Sequence, residues 1–180
     1  MFKIREIERK DLETIRKWHN DTELYQKLGG TFHYCNDEVE SAWFDNYMQS
    51  RNKNVRCVIT DENDELLGCI YLLNIDYINR SAELGIITDI SNRRKGVATF
   101  ANNSIFEHAF NNLNLKRLEI EILSTNSASI ALAKKAGFKQ EGIKRKAYYK
   151  NGDYVDAILL SILKEEYLEE KAKQKELPTE

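Results

Sequence analysis

The 180-residue chain has a single proline, Pro178, close to its C-terminal end, and only eight glycines. Upstream of Pro178 no proline can break an element, and no Pro/Gly/Ser-rich linker or internal repeat divides the chain. Its three cysteines, Cys35, Cys57 and Cys69, are odd in number and show no CxxC spacing. Neither a disulfide framework nor a zinc site is therefore expected; Cys57 and Cys69 sit in apolar runs and read as small core residues. The three histidines, His19, His33 and His108, are too scattered to suggest a metal site. No apolar run approaches membrane-spanning length, and the opening "MFKIREIERKD" lacks the apolar stretch of a signal peptide, so a reducing cytoplasm is the expected location. Basic excess is missing too: 27 Lys and Arg stand against 29 Asp and Glu, a net charge of −2. Bulk binding to nucleic acid or to a membrane surface is not expected, and any phosphate recognition must be local.

What is present fits one globular domain. The chain is 42% hydrophobic and 31% charged, and at this length folding buries roughly 70% of the unfolded surface. "FKIREIERKD" alternates like a strand and ends at Asp11, a candidate N-cap for a helix through Trp18. A second helix spans about Asp37 to Gln49, with Val39, Ala42, Trp43, Tyr47 and Met48 as its apolar stripe. "VRCVIT", "LLGCIYLLNI" and "AELGIIT" read as three successive strands. A helix then runs to about Asn111, "KRLEIEIL" is a strand, and "SASIALAKKAG" is a helix closed by Gly137. "FKQEGIKRKAYY" and "YVDAILLSIL" are strands around a "KNGD" turn. "KEEYLEEKAKQKE" mixes charges at helical spacing and reads as a solvated, frayed helix, with 166–180 a charged C-terminal tail. The order β, two helices, three strands, helix, strand, helix, two strands implies an α/β (α+β) domain, with a mixed sheet of about seven strands and helices on both faces.

The stretch "SNRRKGVATF", residues 91 to 100, puts three cations and a glycine between the strand "ELGIIT" and an apolar helix. Basic residues oppose the dipole at a helix start, so they are out of place there unless an anion is bound. The loop leaves backbone N–H groups unpaired, and Gly96 lets the chain approach a ligand closely. Arg93, Arg94 and Lys95 strengthen that field, and a pyrophosphate is the natural occupant. A solvated basic loop is the plainer alternative.

Arg93 to Ala98 form R-x-x-G-x-A ahead of a helix. About 25 residues on come N-x-x-S in "STNSASIALAKKAGF", a helix ending in G-F, and "EG" at Glu141–Gly142. With "WHND" near the N-terminus and the closing "KNGDYVD", this resembles the GNAT superfamily of acetyl-CoA-dependent N-acetyltransferases over nearly the whole chain. Within it the RimJ/RimL-like branch is the nearest pattern, although His19 stands where that branch has an arginine. The resemblance implies acetyl-CoA as co-substrate, no metal, an amine acceptor as partner, and a possible homodimer.

It also implies roles. Backbone groups of Ile86, Ile87 and Thr88 would pair with the pantetheine arm as an added strand would. Arg93, Arg94, Lys95, Gly96, Val97 and Ala98 would hold the pyrophosphate. Asn126 and Ser129 would contact the cofactor, with helix capping as the plain alternative for Asn126. Glu121, five residues before Asn126, stands where some ribosomal-protein acetyltransferases carry a catalytic glutamate and is the first candidate base; a solvated sheet residue is its plain alternative. Glu83 is the second candidate, unless it pairs with Arg80 or Arg117. Many members carry a tyrosine acid seven residues after the asparagine. Ala133 occupies that position, which leaves Ser129, Tyr148 or Tyr149 to substitute, or no acid at all. Phe32, Tyr34 and Tyr77 are candidate acceptor-pocket walls; Trp43 reads better as core, and His108 as packed or surface.

Two acceptor classes compete: a protein N-terminus of ribosomal-protein type, and a small amine such as an amino sugar, polyamine or aminoglycoside. A non-catalytic coenzyme A-binding domain is the reading from another class. A nucleotide-phosphate enzyme lacks its GK[ST] or GxGxxG string. Gly96→Asp is expected to abolish coenzyme A binding, measured by calorimetry, while leaving the fold near intact.

Overall fold

A computed structural model describes residues 1–92 and 94–176, the last three of these through their backbone alone. Arg93 and Pro178 lie outside the described residues. Seven strands form one sheet in the order β1-β2-β3-β4-β5-β7-β6: β1 Lys3–Glu6, β2 Val55–Thr60, β3 Leu66–Asp76, β4 Ser81–Thr88, β5 Arg117–Leu123, β6 Lys139–Lys150 and β7 Asp153–Leu163. All neighbours are antiparallel except β4 and β5. Helices α1 (Leu12–His19), α2 (Thr22–Tyr25) and α3 (Asp37–Gln49) precede β2. Helices α4 (Val97–Glu107), α5 (Ser127–Lys135) and α6 (Lys164–Glu176) follow β4, β5 and β7. The mixed seven-stranded sheet with helices on both faces is the architecture expected from the sequence.

Strand alternation divides the core in two. On β3, Cys69 and Tyr71 face a cluster with Leu12, Ile15 and Trp18 of α1 and Phe44 and Tyr47 of α3. Ile70 and Leu72 face the opposite cluster, with Ala101, Ile105 and Phe106 of α4, Phe110, and Ala133 of α5. Phe110 is fully buried, and truncating such a ring costs about 3–5 kcal/mol.

Several boundaries follow from side-chain chemistry. Helix α5 ends as Gly137 (φ +97°) turns left-handed. Its N–H donates to Lys134 O (3.1 Å) and that of Phe138 to Ala133 O (3.0 Å), the double bond of a Schellman close. Asn151 and Gly152, both at positive φ, make the two-residue turn between β6 and β7. Asp11 is the N-cap residue of α1, as expected, but its side chain makes no cap bond to that helix. β1 ends at Glu6, and Arg9–Asp11 form a 3-10 turn capped by Glu8, whose N–H donates to Asp11 Oδ2 at 2.7 Å. Asp11 is committed to Arg5, which donates to both carboxylate oxygens at 2.8 Å. Helix α4 passes into a single π-helical stretch, His108–Asn112. Helix α6 is the helix expected after Lys164, but it is not wholly solvated: Tyr167 packs on Phe106 and Phe110, with ring centroids 5.9 and 5.2 Å away.

β3 and β4 approach closely at one point. Gly68 pairs with Thr88, and a Cβ at Gly68 would stand 2.4 Å from Ile87 O and 3.1 Å from Thr88 Cα. Backbone cannot yield there without moving β4. Gly68→Ala is expected to destabilise the fold by about 1–3 kcal/mol in urea denaturation and to weaken whatever binds along the far edge of β4.

Candidate active site

β4 and β5 pair over three residues, Ser81–Glu83 with Arg117–Glu119, and then separate. From Leu84 onward the β4 edge facing β5 has no strand partner, so its N–H and C=O groups are open to a ligand. The gap is a cleft of about 470 Å³. Leu84 to Ile87 line one wall, Ile120 to Ile122 the other, and Asn126, Ser129 and Ala133 of α5 close one end. Thr88 continues the β4 edge beyond the lining residues.

Beyond the C-terminal end of β4, Gly96 (φ +86°, ψ −2°) opens α4 in a left-handed conformation. No side chain caps this helix and its first turn holds no acidic residue, so the N–H groups that follow Gly96, including those of Val97 and Ala98, are left for a ligand. Arg94, itself at positive φ (61°), Lys95 and Gly96 are exposed. Lys95 Nζ donates to Asn92 Oδ1 at 3.2 Å. The "WHND" tryptophan supports the loop from below: Trp18 Nε1 donates to Asp89 Oδ2 at 2.9 Å.

The two candidate bases face the same cleft. Glu121 pairs through Oε2 with Lys144 of β6, while its Oε1 is buried with no hydrogen-bond partner among the described residues. Tyr148 stands beside it. Burial, then the Glu121 carboxylate, pushes the Tyr148 hydroxyl up to about 12. Such a phenol suits donating a hydrogen bond to the carboxylate better than giving a proton to a thiolate of ordinary pKa near 8.5. Glu83 pairs with neither Arg80 nor Arg117. It accepts from Asn74 Nδ2 at 3.0 Å, whereas Arg80 binds Asn114 and Arg117 binds Glu119 and Glu141. Asn74 reaches Glu83 from a bulge in β3 where its own φ is 53°.

Asn126 does more than cap. Its Oδ1 accepts from Ser129 N (3.2 Å) and its Nδ2 donates to Lys27 O (3.0 Å), tying α5 to the loop between α2 and α3. Lys150 Nζ ties the same loop from β6, donating to Tyr25 O (3.0 Å) and Gly30 O (2.8 Å). Tyr148 packs on Gly29, where a Cβ would stand 3.2 Å from its hydroxyl.

From this side the cleft is lined by Tyr25, Lys27, Leu28 and Gly29. Phe32 and Tyr34, expected as walls, stack edge-on behind Tyr25 instead, at 5.4 and then 5.0 Å, and Tyr34 is 84% exposed. Tyr77 lies in the β3–β4 turn, 54% exposed, and is not among the lining residues. Trp43 packs edge-on against His19 and Tyr71.

Two cleft residues carry no motif. Arg56 lies over the rings of Trp43 (4.6 Å) and Tyr71 (5.0 Å), and its buried Nε has no hydrogen-bond partner among the described residues. Burial lowers its pKa. The Tyr71 hydroxyl beside it is also buried without a partner. Only the position of Arg56 inside a strand-like run hinted that its charge was held at the sheet.

Residues 2–139 match the family model of the acetyltransferase (GNAT) domain. The chain belongs to that family. It is 30% identical over 92% of its length, and 94% of the relative's, to a spermidine N(1)-acetyltransferase of Vibrio cholerae. An L-amino acid N-acetyltransferase of Escherichia coli is 28% identical over 89% of this chain and 97% of its own. A crystal structure of the Vibrio cholerae spermidine N-acetyltransferase in complex with CoA and spermine superimposes with a TM-score of 0.88 at 27% identity, covering 93% and 98% of the two chains. These relatives lend no specific support to a RimJ/RimL-like placement within the GNAT family. No described helix is long and apolar enough to cross a membrane.

In this GNAT domain the two jobs of Asn126 are separable. Asn126→Asp keeps a cap acceptor but cannot donate to Lys27, whereas Asn126→Ala loses both. The alanine variant is expected to lose about 1 kcal/mol of stability in thermal unfolding and the aspartate variant much less, while both raise the KM for the acceptor.

Proposed function

We propose that the protein transfers the acetyl group of acetyl-CoA to a primary amine of a polyamine such as spermidine. The pyrophosphate would lie against the amides at 96–98, with Arg94 and Lys95 beside it, and with Arg93 assigned there from the sequence alone. The pantetheine arm would run along the open edge from Leu84 through Ile86 and Ile87 to Thr88, passing Asn126 and Ser129. That sets the thioester between the two separating strands, where β4 N–H groups can stabilise the tetrahedral oxyanion.

The observation that carries the acceptor side is the buried, unpartnered Glu121 Oε1 in this cleft, with Glu83 facing the same space. A primary ammonium of pKa about 10.4 costs about 4.6 kcal/mol to deprotonate at pH 7, so a carboxylate that accepts its proton does the harder part of the reaction. Lys144 pairs with Oε2, and Tyr148 and Glu83 set the surroundings of the carboxylate. The thiolate leaves at a pKa near 8.5 without a dedicated acid, which fits an alanine at position 133. Relatives named for spermidine support a polyamine over a protein N-terminus, which none of the features above favours.

Arg56 favours a second reading. A desolvated guanidinium lacking a carboxylate partner in an acceptor cleft suits an amine that bears its own carboxylate, as in a free amino acid. Thiol-release rates across spermidine, spermine, amino acids and short peptides separate the two. Polyamines are expected to lead in kcat/KM by at least about 100-fold, roughly 2.7 kcal/mol. A lead for amino acids, lost on Arg56→Met, would establish the second reading instead. Glu121→Gln is expected to lower kcat by about 10²–10⁴, to flatten the rise of rate with pH, and to leave coenzyme A affinity unchanged. An unaltered pH–rate profile removes Glu121 as the base.

A further inference from the structure

His19, Cys35 and Glu40 come from three separate places, the end of α1, the loop before α3 and the first turns of α3, and converge on one point. Their ligand atoms all lie within 4.8 Å of one another. His19 Nδ1 is 2.9 Å and Cys35 Sγ 3.2 Å from the same oxygen, Glu40 Oε2. Glu40 is 1% exposed, and its other oxygen, Oε1, is buried with no hydrogen-bond partner among the described residues. A buried carboxylate with one oxygen unanswered is costly unless something positive meets it.

We propose that His19, Cys35 and Glu40 form a binding site for a divalent zinc-class cation that clamps the acceptor-side loop to α1 and α3. An imidazole, a thiolate and a carboxylate are a borderline-soft donor set suited to Zn²⁺, and their charges neutralise it. With metal–ligand bonds of about 2.0–2.3 Å, tetrahedral ligands stand roughly 3.3–3.6 Å apart. The two contacts here need open by only a few tenths of an ångström for an ion to replace the protons between them. The cation would meet the carboxylate that Glu40 now leaves half satisfied, and water would complete the shell.

The support behind the ligands is already built. Asn20 Nδ2 donates to Cys35 O (2.8 Å) and Asn20 Oδ1 accepts from Cys35 N (2.9 Å), fixing the thiol-bearing residue without touching its sulfur. Trp43 packs against the His19 ring at 5.4 Å. Burial, then the Glu40 carboxylate, pushes the Cys35 thiol up to about 11, with Arg16 pulling the other way; Arg16 is itself 2.8 Å from Asp37. The thiol therefore waits for a cation to displace its proton. The site stands apart from acetyl transfer, which needs no metal, and does not depend on the acceptor's identity.

Cobalt titration of the whole protein tests this. Co²⁺ is expected to bind one equivalent per chain, giving the ultraviolet thiolate-to-cobalt charge-transfer band and the visible bands of a four-coordinate ion, and Zn²⁺ should displace it. Cys35→Ser should abolish the charge-transfer band and weaken binding by about 100-fold or more. His19→Gln should weaken it similarly and stands in if the serine variant fails to fold. No saturable cobalt binding, or a charge-transfer band that survives Cys35→Ser, overturns the proposal.

Discussion

Everything that matters chemically in this molecule follows from the separation of β4 from β5 after three residues of parallel pairing. Two parallel strands that stayed together would satisfy each other's backbone and leave nothing for a ligand. Here β4 is held on its other side, where Gly68 lets β3 lie against Ile87 and Thr88 at a distance no side chain would allow. β5 is drawn away by seven consecutive pairings with β7, Arg117–Leu123 against Leu163–Ala157. The open edge is therefore built into the sheet and does not wait for a ligand to create it.

The acceptor side depends on that gap through a set of long-range ties. The loop between α2 and α3 has little secondary structure of its own, and Gly30 at φ +86° gives it a sharp change of direction. It is kept in place by Asn126 from α5, Lys150 from β6 and Asn20 from α1, each bonding to its backbone. Side chains bound to backbone hold a loop without consuming its own side chains, leaving Tyr25 and Leu28 to line the cleft. A metal at His19, Cys35 and Glu40 would add a fourth tie, made through the Cys35 side chain and not through backbone. Asn126 both lines the cleft and grips the loop.

Much of this was legible in the sequence. "ELGIIT" followed by "SNRRKGVATF" gave strand, glycine loop and helix, because a two-residue period changes to a 3.6-residue one across a glycine. Asn126 and Gly137 bracketed α5 by capping chemistry, and "KNGD" marked the last hairpin. What was hidden depends on distant partners. Nothing local says that Lys150 reaches Gly30, 120 residues away, or that the Asp11 carboxylate, at the N-cap of α1, bonds Arg5 and Glu8 N in place of the helix's own amides. His19 was visible only as a departure from the pattern at "WHND", and its meeting with Cys35 and Glu40 required the fold. Tyr77 and Phe32 were placed at the acceptor pocket by the resemblance, and neither is among the residues lining the β4–β5 cleft.

The central claim is that the separated strands receive coenzyme A. The structure of the complex, from crystals grown with the coenzyme, tests it most directly. The pantetheine arm should lie along Leu84 to Thr88, bonded to the β4 backbone, with its pyrophosphate at the amides following Gly96. The coenzyme seated instead in the larger groove between α4, α5 and α6, of about 1020 Å³, with the β4–β5 gap closed or empty, would contradict the account.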